Sequence, residues 1–534
     1  MNHELCIDDK VKEFIKKHLK DDVNKLALSK FPEGIDRDFV IRQIHARQVL
    51  SKKLPSWAEN DELIFPKKLS LEQCSSELTA KYKTTLLSTE SHETTRSTKS
   101  HEIPRKEFSV NSCNLVDEDL VDEEKSTNLH ESSRKEISAN SCNLVDEDLV
   151  DEEKSTKLYE IARKEFSEDS CNLADKKRIL VDLTGGMGVD TAFLSDNFDK
   201  TYYVEMQEEL CEIAKHNFKI LNKNIEVVND NAEHFLTICD KVDCIYLDPA
   251  RRDEYGRKMV SLHDCSPDVV ELHDILLKKA KRVLIKVSPM LDIEMVKKEL
   301  KDITEMHVVA VRNECKEVLI GIQEFRNSGV QEIETQSFKD TNIGSESLRL
   351  CDSATSIKIS STDLRENWNI TFTEDEELEA QWTLADAVGK YLYEPGVACM
   401  KSGCFKLLSQ KYNLDKLHRN SHLYTSDELV SDFPGRIFEV VNVVPFDKKT
   451  KKNIWTLSFE DAKTQRRKDA KNDSESLRLC DSATIKKASV ATRNFPLSAE
   501  ELKKNLGLQD GGDFYIFGTT MKGEKKVVVL TKKL

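Results

Sequence analysis

Apolar residues recur at helical spacing near the amino terminus and in strand-length runs from residue 178 onward. The segments VKEFIKKHL (11–19) and DFVIRQIHARQVLSKKL (38–54) place apolar residues three and four positions apart, which predicts two helices, and Pro55 ends the second. Further along, helical patterns separate the apolar runs RILVDLT, KTYYVEM, IEVVNDNA and VDCIYLDP. Strands that alternate with helices in this way predict a parallel α/β sheet.

Between these two regions the pattern becomes polar and repetitive. The sequence SCNLVDEDLVDEEKST occupies 112–127 and again 141–156, and a third start, SCNL, follows at 170–173. A second repeat, SESLRLCDSAT, occurs at 345–355 and 474–484. These units carry few apolar positions and cannot bury a core. We interpret them as tandem duplications within a disordered insertion and within linkers.

The pattern as a whole divides the chain into six parts. The predicted parts are a helical region (1–87), a repeat-containing disordered insertion (88–168), an alternating α/β domain (169–326), a linker with an inserted repeat (327–372), and two smaller α+β domains (373–437 and 438–534), the last with an inserted loop at about 463–488.

Composition adds an expected compartment and an uneven charge. No run of 18 apolar residues exists and the first residues, MNHE, lack a signal-peptide core, so we expect a cytoplasmic protein without a membrane span. The 14 cysteines form no CxxC pair and no zinc-type cluster, which predicts reduced thiols and no metal site. The net charge of −15 is concentrated in 106–170, whereas 436–534 hold 21 Lys+Arg against 13 Asp+Glu.

A glycine turn follows the first apolar run of the α/β region. Arg178–Thr184 leads into Gly185-Gly186-Met187-Gly188, and the helical segment VDTAFLSDNF comes next. A strand, a glycine turn and a helix in this order are typical of a nucleotide-binding site, where the missing side chains let a ligand approach the backbone. Asp182, near the end of the strand, can accept a hydrogen bond from a ligand amine.

Acidic residues end the next three strands. Glu205 lies 20 residues past Gly185, the spacing at which a carboxylate binds ribose hydroxyls. Asp230 and Asp248 follow the third and fourth strands. Because open α/β sheets bind ligands at the carboxyl ends of their strands, these side chains should meet. The predicted cofactor-binding residues are Asp182, Gly185, Gly186, Gly188, Glu205, Met206, Asp230 and Asp248.

The glycine pattern disfavours a dinucleotide. Read from Gly186, the G-x-G-x-x-G fingerprint would need a small residue where Thr191 stands. Two late strands, HVVAVR and EVLIGIQEF, complete an antiparallel pair. On these features, residues 169–326 resemble class I S-adenosylmethionine-dependent methyltransferases. The resemblance implies a Rossmann-like seven-stranded sheet and S-adenosylmethionine as cofactor.

The segment Asp248-Pro249-Ala250-Arg251 lies where methyltransferases place their acceptor. Related families that act on ring or exocyclic nitrogens carry Asp/Asn-Pro-Pro-aromatic here, so the resemblance implies that Asp248 and Pro249 hold the acceptor. The aromatic residue is missing from this chain. Arg251 and Arg252 could bind a substrate phosphate, or could pair with nearby acids. The predicted catalytic residues are Asp248, Pro249 and Arg251.

Two neighbouring features leave alternatives open. Ser288 ends the fifth strand where RNA carbon-5 methyltransferases place a nucleophilic cysteine, which disfavours that mechanism, and Cys244 fits a core position. Residues 72–83 could close over the methionine part of the cofactor. Alternatively, Ser75, Ser76 and Glu77 only cap a helix.

The resemblance extends over most of the chain outside the repeats. It is similar to a bacterial methyltransferase family with an N-terminal helical part and C-terminal ferredoxin-like and THUMP-like domains. The motifs that carry the similarity are QIHARQ (43–48), LPSW (54–57), VDLTGGMGVD (181–190), LDPARRD (247–253), IKVSPMLDI (285–293), YEPGVACMKSGCF (393–405), FPGRIFEVV (433–441), ATRNFPLSAEELKK (491–504) and DGGDFYIFGTT (510–520).

A THUMP-like domain implies RNA as a partner, and the basic segment 436–534 agrees with phosphate binding. His45 and Arg47 could join that surface or could simply be solvated. The first hypothesis is a methyltransferase of structured RNA, either rRNA or tRNA. The alternatives are a protein or small-molecule methyltransferase and a non-catalytic RNA-binding protein that retains the cofactor pocket. We expect deletion of about 90–166 to leave cofactor binding intact.

Overall fold

The computed structural model describes residues 7–88, 177–251, 261–323, 356–450 and 487–534. The repeats and the inserted loop at about 463–488 fall almost entirely outside these ranges, so the interpretation of them as disordered insertions stays a prediction. Among the described helices, none is long and apolar enough to cross a membrane.

Six helices form the described N-terminal region, residues 7–88, and aspartate or serine side chains cap four of them. Asp8, Asp22, Asp36 and Ser76 each accept a backbone N–H in the first turn, which satisfies donors that lack a partner inside the helix. The helices are α1 (Asp9–His18), α2 (Val23–Ala27), α3 (Arg37–Lys53), α4 (Pro55–Ala58), α5 (Lys68–Gln73) and α6 (Glu77–Leu86). The two helices predicted from the sequence, now α1 and α3, are confirmed.

The N-terminal helices bury apolar side chains against the α/β domain. Trp57 and Phe65 pack in one core with Met187, Tyr203 and Phe218. Removal of such side chains from water contributes roughly 1.5–3 kcal/mol for each one fully buried. The helical region and the glycine turn therefore share a core.

Arg47 corrects one sequence expectation. Its side chain is buried and donates to Gln43 and to the backbone carbonyls of Asn60, Asp61 and Leu63. A guanidinium that holds a loop from inside neither joins a surface nor faces solvent, so both alternatives for Arg47 were wrong. His45 is half-buried on the same helix.

Within the described residues, nine strands form one large sheet in the order β11-β10-β8-β9-β7-β4-β1-β2-β3. Its strands are β1 (Ile179–Asp182), β2 (Lys200–Glu205), β3 (Ile225–Asn229), β4 (Val242–Leu247), β7 (Ala280–Val287), β8 (Ile303–Val311), β9 (Glu314–Ile322), β10 (Lys358–Asp363) and β11 (Trp368–Thr373). β1 pairs in parallel with both β2 and β4, and β9 pairs antiparallel with β7 and β8. The predicted seven-stranded Rossmann-like sheet is confirmed.

Helices and a short ribbon connect the strands of the large sheet. The helices are α7 (Val189–Leu194), α8 (Glu208–Ile220), α9 (Ala232–Ile238), α10 (Val269–Lys279) and α11 (Ile293–Glu299). The ribbon pairs β5 (Ala250–Arg251) with β6 (Cys265–Ser266) next to the end of β4.

Strands β10 and β11 extend the sheet beyond the sequence expectation. They lie at the end of the segment 327–372, which was predicted to be a linker. No strand was expected there because KISSTD, the sequence of β10, does not alternate apolar and polar residues. Ser361 and Asp363 are nevertheless buried, and each has hydrogen-bond partners. Asp363 accepts from the backbone of Arg312 and Asn313 and so fixes the turn between β8 and β9. Polar residues satisfied by hydrogen bonds replace apolar residues in this part of the sheet.

A second sheet of seven described strands forms the C-terminal part, in the order β13-β14-β12-β15-β18-β17-β16. Its strands are β12 (Tyr391–Pro395), β13 (Asp415–Lys416), β14 (Tyr424–Ser426), β15 (Gly435–Pro445), β16 (Ser489–Arg493), β17 (Phe514–Met521) and β18 (Lys525–Lys533). The helices are α12 (Glu374–Glu379), α13 (Val397–Ser402), α14 (Lys406–Tyr412) and α15 (Ala499–Leu506).

Strand β15 lies at the centre of this C-terminal sheet. It pairs with β12 on one side and with β18 on the other. Leu392 of β12, Phe438 of β15 and Phe517 of β17 belong to one apolar core. The predicted boundary at 437/438 falls inside β15, and the division into two domains there stays a prediction.

Candidate active site

A cavity opens at the carboxyl ends of β1, β2, β3 and β4, where the strand order reverses between β1 and β4. Each of the eight residues predicted to bind the cofactor lines this cavity: Asp182, Gly185, Gly186, Gly188, Glu205, Met206, Asp230 and Asp248. Their separate roles stay predictions, but the structure brings all of them to one place.

The glycine turn is shaped by strand β2. A Cβ atom at Gly185 would lie 2.2 Å from the Tyr203 ring, so only glycine fits there. Gly188 has a φ of +80°, the left-handed conformation that glycine adopts without strain. The Tyr203 hydroxyl donates to the Gly186 carbonyl at 2.5 Å. The turn is therefore held open toward the cavity.

The acids after β2 and β3 face the same cavity and hold backbone groups. Glu205 accepts hydrogen bonds from the N–H groups of Gly186 and Gln207, both at 2.9 Å. Asp230 accepts from the backbone of Asn231 and pairs with His234 at 2.6 Å. The exposed Met206 lies on the cavity rim between these acids.

Asp182 is buried at the floor of the cavity. Its carboxylate accepts from the Thr191 hydroxyl at 2.6 Å and from the Thr184 N–H at 3.0 Å. Burial raises the pKa of Asp182 to about 7 in spite of these hydrogen bonds, and the nearby carboxylates of Asp190 and Asp248 add to the rise. A cationic ligand group beside Asp182 would favour its ionised form.

The predicted acceptor segment begins at Asp248. The Asp248 backbone N–H donates to the Thr184 hydroxyl at 2.6 Å, which ties the end of β4 to the glycine turn. The half-buried Pro249 follows, and the backbone of Arg251 pairs with that of Cys265. The side chain of Arg251 and residues 252–260 lie outside the described part of the chain.

A charged network behind the cavity was not expected from the sequence. Asp190, at the start of α7, accepts from the hydroxyls of Ser75 and Tyr246, each at 2.7 Å. Its second oxygen lies 3.2 Å from the Lys83 ammonium. Burial alone would raise the pKa of Asp190, but Lys83 and Lys286 outweigh it and lower that pKa. Asp190 is thus an ionised carboxylate inside the protein.

Lys83 and Lys286 are the cations of this network. The fully buried Lys83 donates to both carboxylate oxygens of Glu317 at 2.9 Å. Lys286 binds Asp248 at 2.5 Å and the Ser75 hydroxyl at 3.2 Å. The only sequence signal for these contacts was an ionisable residue inside an apolar strand, such as Lys286 in IKVSP.

Segment 72–83 fits both of the alternatives that the sequence left open. Ser76 is the N-cap of α6 and accepts from the Thr79 backbone. Gln73, Cys74 and Ser75, by contrast, line the cavity. Ser76 therefore caps a helix and the three residues before it line the cavity, while closure of this segment over the cofactor stays a prediction.

The cysteines near the site are buried thiols. Cys244 lies within β4, where burial raises its pKa to about 12, so the interpretation as a core residue is confirmed. Cys265 is buried in the short ribbon. Among the described residues, no cluster of three or more His, Cys, Asp or Glu has metal-binding geometry.

Comparison with known families identifies the C-terminal part. Residues 391–434 match a ferredoxin-like domain family, and residues 473–533 match the family described as THUMP domain-like. The first match covers β12 to β14 with their helices, and the second covers β16 to β18. No curated protein matches the chain.

Comparison with solved structures extends the similarity to the whole molecule. A crystal structure of a candidate methyltransferase from Porphyromonas gingivalis W83 is 26% identical with a TM-score of 0.63, and the match covers 99% of this chain and 100% of that chain. An rRNA methylase from Streptococcus thermophilus matches 28% of this chain and 90% of its own at 18% identity and a TM-score of 0.22. A candidate methyltransferase from Streptococcus mutans, solved with SAH, matches 32% and 96% at 16% identity and the same TM-score.

The fold of the large sheet, the cavity at its switch point and the match over the full length agree with one another. The chain is an S-adenosylmethionine-dependent methyltransferase that carries C-terminal ferredoxin-like and THUMP-like domains.

Proposed function

We propose that this protein transfers the methyl group of S-adenosylmethionine to a base of structured RNA, either rRNA or tRNA. The observation that carries the proposal is the combination of a methyltransferase cavity with a THUMP-like region, residues 473–533, in one chain. THUMP domains occur in enzymes that modify RNA. We expect the protein to act in the cytoplasm.

The residues around the cavity fit this cofactor. S-adenosylmethionine carries an adenosine, an amino-acid part and a methyl group on a sulfonium. Glu205 would bind the ribose hydroxyls, Asp230 would accept from the adenine amine, and Asp182 would face the cationic amine. The support for this assignment is that all three acids line one cavity beside the glycine turn, at the carboxyl ends of neighbouring strands.

Asp248 would orient the acceptor. Methyl transfer needs alignment of the nucleophile with the methyl group more than acid–base strength. Asp248 lies on the cavity wall, where its carboxylate can accept an N–H from a base. Pro249, which follows it, would shape the approach of that base. Arg251 would bind a phosphate of the RNA.

The C-terminal sheet would supply the affinity for RNA. Residues 436–534 carry an excess of basic residues, and β18 with its preceding turn exposes five lysines: Lys522, Lys525, Lys526, Lys532 and Lys533. Contacts between lysines and phosphates release counterions, so binding should weaken steeply as salt concentration rises.

A methyl-transfer assay tests the proposal. Labelled S-adenosylmethionine is incubated with total cellular RNA from a strain that lacks the gene, together with the wild-type protein or Asp248→Ala. We expect label in RNA with the wild type and at least about a hundredfold less with the variant, as for loss of a group that positions reacting atoms. Digestion of the labelled RNA then identifies the nucleoside.

The same assay can contradict the proposal. If the wild type binds S-adenosylmethionine but transfers no label to RNA, the acceptor is not RNA, and label in a protein or small-molecule fraction would identify it. Equal labelling by the wild type and Asp248→Ala would remove Asp248 from the reaction.

A further inference from the structure

Lys286 occupies a position that the proposed function does not yet use. It is the last residue but one of the central strand β7, and its ammonium lies 2.5 Å from Oδ2 of Asp248. We propose that Lys286 is a positioning residue, which holds the Asp248 carboxylate so that Oδ1 faces the acceptor nitrogen. This inference rests on the proposed function, because it needs Asp248 to orient an acceptor.

Asp248 is held at two points. Its backbone N–H is fixed by the Thr184 hydroxyl at 2.6 Å, and one carboxylate oxygen is fixed by Lys286. One anchor on the backbone and one on the carboxylate, with only two rotatable bonds between them, leave little freedom for the second oxygen. The Asp248 side chain stays 33% exposed on the cavity wall, so an acceptor can still reach it.

Lys286 is in turn held from the opposite side by the N-terminal region. Its ammonium donates to the Ser75 hydroxyl at 3.2 Å and lies 3.9 Å from Asp190. Ser75 itself donates to Asp190 and accepts from Lys83 at 3.0 Å. The long lysine side chain is therefore fixed at its charged end as well as by the strand, which positioning of a carboxylate requires.

The charge of Lys286 does not change near neutral pH. Burial alone would lower the pKa of Lys286, but the carboxylates of Asp248, Asp190 and Glu317 outweigh it and raise that pKa. An ammonium that keeps its proton cannot accept one from the acceptor. The contribution of Lys286 is therefore its position and its charge rather than acid–base chemistry.

A matched control lies on the same two strands. Lys281 and Asp243 come five residues earlier on β7 and β4, and they form an ion pair of the same 2.5 Å length. The Lys281 side chain is 61% exposed, whereas that of Lys286 is 13% exposed. Both lysines pair across the same two strands, but only the partner of Lys286, Asp248, lines the cavity.

The test is a double-mutant cycle on the rate of transfer to RNA. Lys286→Met, Asp248→Asn and the double variant are compared with the wild type and with Lys281→Met, and the affinity for S-adenosylmethionine is measured for each. We expect Lys286→Met to slow transfer by about thirtyfold or more while donor affinity stays within about threefold. In the Asp248→Asn background, Lys286→Met should change the rate by less than about threefold, because coupled residues are non-additive. Lys281→Met should match the wild type within about twofold.

Additive losses would overturn the inference, because a lysine that acts only on folding slows both backgrounds equally. A Lys286→Met protein as active as the wild type would overturn it too. Should Lys286→Met alone fail to fold, Asp248→Asn and the double variant still decide. Asp248→Asn leaves Lys286 beside the carboxylate of Asp190, and the double variant removes both charges of the pair. Equal transfer rates for Asp248→Asn and the double variant support the inference, and a transfer rate a further tenfold lower in the double variant contradicts it. Failure of the proposed function differs from all of these outcomes, since the wild type itself would then leave RNA unlabelled.

Discussion

Ion pairs at the two ends of the strands in the large sheet differ in burial. We call these ends the amino edge and the carboxyl edge of the sheet. At the amino edge, Lys281 and Asp243 form an isolated pair in contact with solvent. At the carboxyl edge, Lys286 belongs to a buried network that joins two lysines to three carboxylates. The ion-pair distance is the same for Lys281 and Lys286, so distance does not reveal importance. Burial and shared partners decide whether the loss of a charge costs little or much.

The largest effect is expected where burial is complete. Lys83→Met should lower the free energy of unfolding by about 3–5 kcal/mol, because Glu317 and Asp190 would be left as uncompensated buried charges. Lys81, two residues away on α6, pairs with Glu77 at 2.6 Å but is exposed, and Lys81→Met should cost less than about 0.5 kcal/mol. Urea unfolding of both variants makes the comparison. Similar losses for the two would show that burial does not set the difference.

The next effect concerns cofactor affinity at the end of β2. Glu205→Gln should weaken S-adenosylmethionine binding about tenfold to a hundredfold, because a charged acceptor for the ribose is lost and the glycine turn loses a strong partner. Glu226→Gln is the control, since Glu226 on β3 pairs with Lys200 at 3.3 Å away from the cavity. Equilibrium dialysis gives both affinities. Unchanged binding by Glu205→Gln would place the ribose elsewhere.

A smaller effect should appear as pH dependence. In the free protein Asp182 has a pKa of about 7, and a ligand ammonium favours its ionised form, so binding releases a proton below that pH. Donor affinity should therefore fall as pH drops from 7 to 5.5, by up to about tenfold per pH unit. Calorimetry at several pH values measures the slope. Asp182→Asn should flatten the dependence of donor affinity on pH, whereas the control Asp240→Asn, at an exposed position, should leave it unchanged. The same slope in the wild type and both variants would show that another group releases the proton on binding.

The smallest effect belongs to the amino edge. Lys281→Met should change the free energy of unfolding by no more than about 1 kcal/mol, because solvent screens the pair and Asp243 keeps its hydrogen bond from the Ile179 N–H. Thermal and urea unfolding provide the measurement. If Lys281→Met lowered the free energy of unfolding as much as Lys83→Met, exposed and buried ion pairs would contribute equally to stability, and the difference drawn between the two edges would be wrong.

The parts of the site that the sequence predicted are those next to apolar strands. Asp182, Glu205 and Asp248 each follow or end a run of apolar residues, and parallel strands bring such ends to one edge. The parallel pairing of β1 with β2 and β4 also follows from the alternation of helix and strand. Local pattern was sufficient here because the strand, the turn and the acid are contiguous in the chain.

The buried network could not be predicted in this way. Lys83 and Glu317 are 234 residues apart, and each is an ordinary charged residue in its own segment. Asp190 resembles the acidic first turn of any helix. Strand β10 was missed for a related reason, since Ser361 and Asp363 are buried through hydrogen bonds and leave no hydrophobic pattern. Only tertiary contacts reveal such residues.

Strand β15 limits how this protein can be divided. Because it pairs with both β12 and β18, the segments that match ferredoxin-like and THUMP-like families complete a single sheet. A cut on either side of Gly435–Pro445 would leave one fragment with an open apolar strand edge, which favours aggregation. Recombination between relatives should therefore exchange the two segments together, and a stable expression fragment should contain both.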